Sequence, residues 1–140
     1  MIIMSVDYGD KRTGIAICDK LEMLASPVGV LIEWNSETLA DKIVNLAVEK
    51  KAETIVIGLP KNMDGSQGFR ADACKELGEL VKSRTQIPVE FWDERLTTVS
   101  AHRILSENNV RGKKRKAVVD SVAAEIILQD YIDWRKSNVK

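Results

Sequence analysis

Apolar positions run in two rhythms along this chain. Ile2 to Val6 is an apolar run of the kind that suits a central strand buried on both faces. Gly9 and Gly14 bracket a polar turn, Asp10-Lys11-Arg12-Thr13. Ile15 to Cys18 reads as a second strand. A third lies within Met23 to Ile32, bent at Pro27 and Gly29. The short polar turns between these runs predict an antiparallel meander. From Ser36, a good N-cap residue, the rhythm becomes helical through Leu39, Ile43, Leu46 and Ala47. Thr54 to Leu59 is a β-branched run that predicts a buried strand. The loop Lys61 to Gly68 follows. Ala73, Cys74, Leu77, Leu80 and Val81 predict a second amphipathic helix. Ile87 to Trp92 reads as a strand, with Pro88 near its start, where a missing N–H is tolerated. Thr97 or Thr98 can cap a helix reaching about Asn108. A basic loop precedes a last helix from about Ala117 to Lys136. Strands paired first antiparallel and later alternating with helices predict an α/β fold, a mixed five-stranded sheet flanked by helices.

The 140 residues fit a single domain over 1–140. Hydrophobic residues at 44% and charged residues at 30% exclude a disordered chain. No apolar run reaches the ~18 residues of a membrane helix. Asp7 interrupts the first apolar stretch, which has no basic flank, so a signal peptide is not expected. Cys18 and Cys74 are too few for a disulfide scaffold or a four-ligand zinc site. The expected compartment is therefore reducing and cytoplasmic. Basic and acidic residues number 21 each. Five of the basic ones (Arg111, Lys113, Lys114, Arg115 and Lys116) form one run without an acid. A polyanion would therefore meet a patch of charge, not a generally basic surface.

Three acidic positions fall at predicted element ends. Asp7 closes the first strand, where ligands of open α/β sheets gather. Asp93 and Glu94 follow another strand. Asp120 lies near the start of the last helix, on the face of Ala123, Ala124, Ile127 and Tyr131. A carboxylate on such a face is costly unless something positive answers it. Phosphodiester hydrolysis gives a reason for the cluster. Two divalent ions relieve the repulsion among converging carboxylates and clamp the attacking and leaving oxygens. Hard oxygen ligands suit Mg²⁺ or Mn²⁺.

Each residue also has a plainer role open to it. Asp7 can start a turn, Asp93 and Glu94 can be surface charges beside Arg95, and Asp120 can cap the last helix. Lys11 and Arg12, between two glycines, can neutralise a phosphate. Ile15 and Ala16 stand where a Walker A loop needs Lys and Ser or Thr. Asn62, Asp64 and Arg70 can line a site or merely connect a strand to a helix. The run from Arg111 to Lys116 can grip a nucleic-acid backbone or be a solvated loop. His102 reads as a helix-surface or half-buried residue. Trp34, Trp92 and Trp134 read as core or edge packing.

Four segments together resemble the YqgF/RuvX family, nucleases similar to Holliday-junction resolvases. They are Asp7-Tyr8-Gly9 through Arg12, Gly14 and Ile15; Gly58-Leu59-Pro60 with Asn62-Met63-Asp64-Gly65; Asp93-Glu94-Arg95-Leu96-Thr97-Thr98; and Gly112-Lys113-Lys114 with Val119-Asp120, Ala123-Ala124 and Ile127-Leu128. They occur in family order and span nearly the whole chain. The resemblance implies an RNase H-like domain and a metal-dependent nuclease. Its catalytic and metal-binding acids would match Asp7, Glu94 and Asp120, with Arg95 orienting Glu94 or contacting phosphate. The implied substrates are the 5′ end of small-subunit (16S) ribosomal RNA precursor or, by fold analogy, branched DNA, handled by a monomer or homodimer. Two other classes stay open. An actin-like or sugar-kinase ATPase would need a second copy of the motif or a dimer. A noncatalytic RNA-binding module would keep the basic run and need no metal.

Overall fold

The apolar run at the N-terminus is the middle of a sheet. A computed structural model describes residues 1–9, 11–59, 69–93 and 112–138, with backbone alone for 69, 70, 112–121, 137 and 138. In chain order the elements are β1 (Ile3–Asp7), β2 (Arg12–Cys18), β3 (Ala25–Ile32), α1 (Ser36–Glu49), β4 (Thr54–Leu59), α2 (Phe69–Lys82), β5 (Val89–Asp93) and α3 (Gly112–Asn138). The sheet order is β3-β2-β1-β4-β5. β2 runs antiparallel to both β1 and β3, whereas β4 runs parallel to both β1 and β5. β1 and β4 are inner strands, and every residue of β4 is buried, so their sequences carry almost no polar alternation. The expected mixed five-stranded sheet is therefore present. The bend foreseen at Pro27 and Gly29 is a bulge. Ile15 pairs with Gly29 and Ala16 with Pro27, so Val28 is skipped, and Gly29 has φ +150°, a conformation only glycine adopts without strain.

Period-two alternation divides the strands between two cores. Met4, Val6, Ile15, Ile55 and Ile57 face α1 and α2, packing with Leu39, Ile43, Leu77 and Val81. Ile3, Ala16, Cys18 and Val56 face α3, packing with Ala124, Ile127, Leu128, Tyr131 and Ile132. Cys18 and Cys74 are buried in opposite cores, so they form no disulfide with each other. Among the described residues no helix is long and apolar enough to cross a membrane.

β1 and β5 end one residue later than expected, at Asp7 and Asp93, and three other boundaries differ for reasons visible in the structure. Arg12 and Thr13 are not turn residues but begin β2, because their backbones pair with Ile32 and Leu31. Ladder pairing overrides the polar character of the pair. The N-cap of α1 is Asn35 rather than Ser36. Its side chain accepts from the amides of Glu37 and Thr38 at 2.9 and 3.0 Å. The basic run is not a loop: Lys113 to Lys116 lie in α3, which starts at Gly112. Lysine and arginine are good helix formers, and here they extend the helix by more than a turn. The helix expected from Thr97 or Thr98 to Asn108 lies outside the described residues.

Candidate active site

Asp7 is the last residue of β1 and pairs with Gly14 across the hairpin. It is half-buried and, by alternation, shares the α3 face with Ile3 and Ser5. Ser5 is fully buried, and its hydroxyl donates to the carbonyl of Ala124 at 2.7 Å. That bond seats α3 on β1. The far end of α3 lies beside the start of β1: Arg135 Nε donates to Glu22 Oε1 at 2.8 Å, and Glu22 also pairs with the Met1 amino group. The helix therefore runs antiparallel to β1. From Ser5 to Asp7 the strand advances ~6.6 Å, and from Ala124 back to Asp120 the helix advances ~6 Å. The turn carrying Asp120 thus comes level with Asp7. Ala124, Ile127 and Tyr131 pack on the sheet, and by helical spacing Asp120 is the position one turn before Ala124. It sits more than two turns inside α3, so it is not the helix cap.

The acidic pair after β5 divides differently. Phe91 packs in the core of α1 and α2, and Trp92 packs against the core of α3. Asp93 alternates with Trp92 and so belongs to the face opposite that of Asp7. Glu94 lies outside the described residues, as do Asn62, Arg95 and Arg111. Of the expected acids Asp7, Glu94 and Asp120, only Asp7 is described with its side chain; Asp120 is described in its backbone alone, in a turn of α3 that comes level with the end of β1.

The β1–β2 turn lies at the same end of the sheet. A Cβ on Gly9 would sit 2.1 Å from the carbonyl oxygen of Arg12, so the turn closes only with glycine there. Lys11 is exposed and Arg12 half-buried beside it. Arg70 is in the first turn of α2. Lys113, Lys114, Arg115 and Lys116 occupy the start of α3, and no acidic residue offsets them in its first turn. Cations at the positive end of a helix dipole repel it, so this arrangement costs stability and favours a bound anion.

Among the described residues no group of three or more His, Cys, Asp or Glu side chains is placed to hold a metal ion. Two of the three expected ligands fall beyond that description: Glu94 entirely and Asp120 in its side chain. The donor set itself, three carboxylates, is that of a hard divalent ion. The resolved carboxyl shifts lie elsewhere. Burial pushes Glu125 up, and burial with nearby Asp133 pushes Asp130 up. Glu22 is raised by burial but lowered more by its bonds to Arg135 and the amino terminus, so its net shift is downward.

The aromatic residues carry what the sequence reading missed. Trp92 packs edge-on to Tyr131 at 5.9 Å and against Trp134 at the same centroid distance. Tyr131 donates a hydrogen bond to Glu90. These two tryptophans are packing residues, as expected. Trp34 is neither core nor edge packing, since 71% of its surface is open to water. Hydropathy counts tryptophan as apolar wherever it stands, so no sequence signal marked the difference.

The sheet order and the placement of α3 define an RNase H-like fold. Solved resolvases share it. The Thermus thermophilus RuvC bound to Holliday junction substrate superposes with a TM-score of 0.65 over 100% of this chain and 98% of that one, at 10% identity. The fowlpox virus Holliday junction resolvase superposes with a TM-score of 0.58 over 96% and 99%, at 14% identity. Within that class the chain belongs to the RuvX family, described as Holliday junction resolvase, whose pattern matches residues 1–134. A relative from Halothermothrix orenii is 46% identical over 96% of both chains. One from Clostridium botulinum is 44% identical over 95% of this chain and 97% of its own. Both carry the name "Putative pre-16S rRNA nuclease".

Proposed function

We propose that this protein is a metal-dependent nuclease that hydrolyses phosphodiester bonds in maturing the 5′ end of 16S ribosomal RNA precursor. The observation that carries the reading is the seating of α3 antiparallel to β1 through Ser5 and Ala124, which brings the Asp120 turn level with Asp7. The names of relatives matching almost end to end favour precursor RNA over branched DNA. In this reading residues 1–140 form one domain that works in the cytoplasm as a monomer or homodimer.

Asp7, Glu94 and Asp120 would hold two ions of the Mg²⁺ or Mn²⁺ type. When bound, such ions neutralise the phosphate and stabilise charge on the attacking and leaving oxygens. The place of Asp93 on the opposite face supports Glu94 as the ligand of that pair. Lys11, Arg12, Asn62, Arg70, Arg95 and the cations from Arg111 to Lys116 hold the substrate backbone. These contacts supply affinity and position without reading sequence. The hairpin pairing of Asp7 with Gly14 fixes the carboxylate on a rigid strand, where little reorganisation is needed during reaction.

The test is incubation with labelled precursor ribosomal RNA and with a four-way DNA junction, each with and without Mn²⁺. Cleavage of the RNA only in the presence of the ion is expected. Asp7→Asn should abolish it while leaving the thermal midpoint within a few degrees of the parent. Cleavage of the junction alone would move the activity to DNA. Undiminished cleavage by the variant, or RNA binding without Mn²⁺ uptake or cleavage, would refute the nuclease reading.

A further inference from the structure

Trp34 is an exposed aromatic ring on a rigid mount. Its exposure is 71%. The Glu33 carboxylate on one side of it accepts from the amide of Asn35 at 3.1 Å and from Lys42 Nζ at 2.9 Å. Asn35 on the other side caps α1. The amide of Glu33 donates to the carbonyl of Lys11 at 2.9 Å, tying this corner to the β1–β2 turn. Lys11 Nζ lies 5.7 Å from the centre of the indole ring. A cation on one face and open water over most of the remainder leave a second aromatic face for a ligand. A merely structural tryptophan would bury its area instead.

The ring stands at the end of the sheet that carries Asp7. Asp7 is in register with Gly14 and, through it, with Val30, so Trp34 lies two strands across, roughly 10 Å, and four residues along, up to about 13 Å. The separation, up to about 16 Å, is about five stacked nucleotide steps, and fewer along an extended strand. Lys11 and Arg12 supply positive charge between the two positions. An aromatic face beside cations, a few nucleotides from a phosphate, is how proteins hold an unpaired base without reading its identity. We propose that Trp34 is a stacking platform for one unpaired base of the substrate, within about five nucleotides of the cleaved bond, with Lys11 held ready for the adjoining phosphate. The inference rests on the nuclease reading and adds the form of substrate it takes: a strand unpaired beside the cut.

The experiment uses the full chain and short single-stranded oligonucleotides, in RNA and DNA series, spanning the cleavage position. In each series one base at a time is removed while the sugar and phosphate are kept. For the wild type, removing the stacked base should weaken binding about five- to a hundredfold at one position and little elsewhere. Trp34→Ala should lose the same factor on the intact strand and become indifferent to base removal. Trp34→Phe should keep most of the affinity. A Trp34→Ala protein that binds the intact strand like the wild type, or stays as sensitive to base removal, overturns the platform while leaving cleavage, and so the nuclease reading, intact. Wild-type protein that neither binds nor cleaves either series overturns both. Whether the RNA or the DNA series shows the effect identifies which strand supplies the base.

Discussion

Replacing Ser5 tests the contact on which the site's geometry depends. Ser5 has no exposed surface, and its hydroxyl holds the Ala124 carbonyl of α3 at 2.7 Å. In Ser5→Ala the hydrogen bond is lost, but a helix carbonyl at that position still has its partner one turn on. The loss is therefore the ordinary net value of one hydrogen bond, about 1 kcal/mol. For a chain of 140 residues, unfolding entropy near 2.1 cal/mol/K per residue turns that into a fall of about 3 °C in melting temperature. Ser5→Val adds bulk as well as removing the donor. Overpacking a closed core costs about 1–3 kcal/mol and drives α3 off the sheet. Because Asp7 and the Asp120 turn sit on the two elements being separated, the cleavage rate should fall by up to about 100-fold, the cost of a displacement near 1 Å. Circular dichroism melts and single-turnover cleavage at saturating Mn²⁺ measure the two effects. The reasoning is refuted if Ser5→Val melts and cleaves like the parent, since the helix would then not be seated through this position.

Two further predictions concern carboxylates. Asp93→Asn should keep cleavage within about threefold of the parent, because Asp93 lies on the far face of the sheet, whereas Glu94→Gln should lose at least 100-fold. Equal losses in the two variants, measured under one set of conditions, would refute the distinction, and a larger loss in Asp93→Asn would reverse the assignment. Glu22 has its folded-state pKa lowered by Arg135 and the amino terminus against the opposing effect of burial. Its stabilisation is therefore complete above the unfolded glutamate range and disappears as pH falls through the lowered folded value. In Glu22→Gln the acid limb of the melting-temperature profile should be flatter than in the parent, and parallel profiles would refute the pairing.

The sequence exposed most of the sheet because inner strands are apolar on both faces. Ile2 to Val6 and Thr54 to Leu59 needed no tertiary information to be recognised. Arg12 and Thr13 were illegible because backbone pairing with β3, not side-chain polarity, makes them strand. The start of α3 was hidden for a related reason: a cationic run satisfies helix and loop patterns equally, and packing further along the helix decides between them. Asp7 and Asp120 could be nominated from their places near element ends. That they come level depends on the Ser5–Ala124 bond, which spans 119 positions in the chain. Period-two alternation separates Asp93 from Asp7, but only once the sheet's two faces are assigned. The role of Trp34 turns on exposure, which composition does not encode.

The late position of α3 in the chain shapes how this protein is made. Ile3, Ala16 and Val56 emerge from the ribosome early, yet the helix that covers them supplies its buried residues only from Ala124 to Ile132. At synthesis rates of about 5–20 residues per second, one side of the sheet stays uncovered for seconds. During that interval the nascent chain lacks the second carboxylate-bearing element as well. In the nuclease reading proposed above, the site would be complete only once the last helix is made, and until then the open face is a transiently sticky surface.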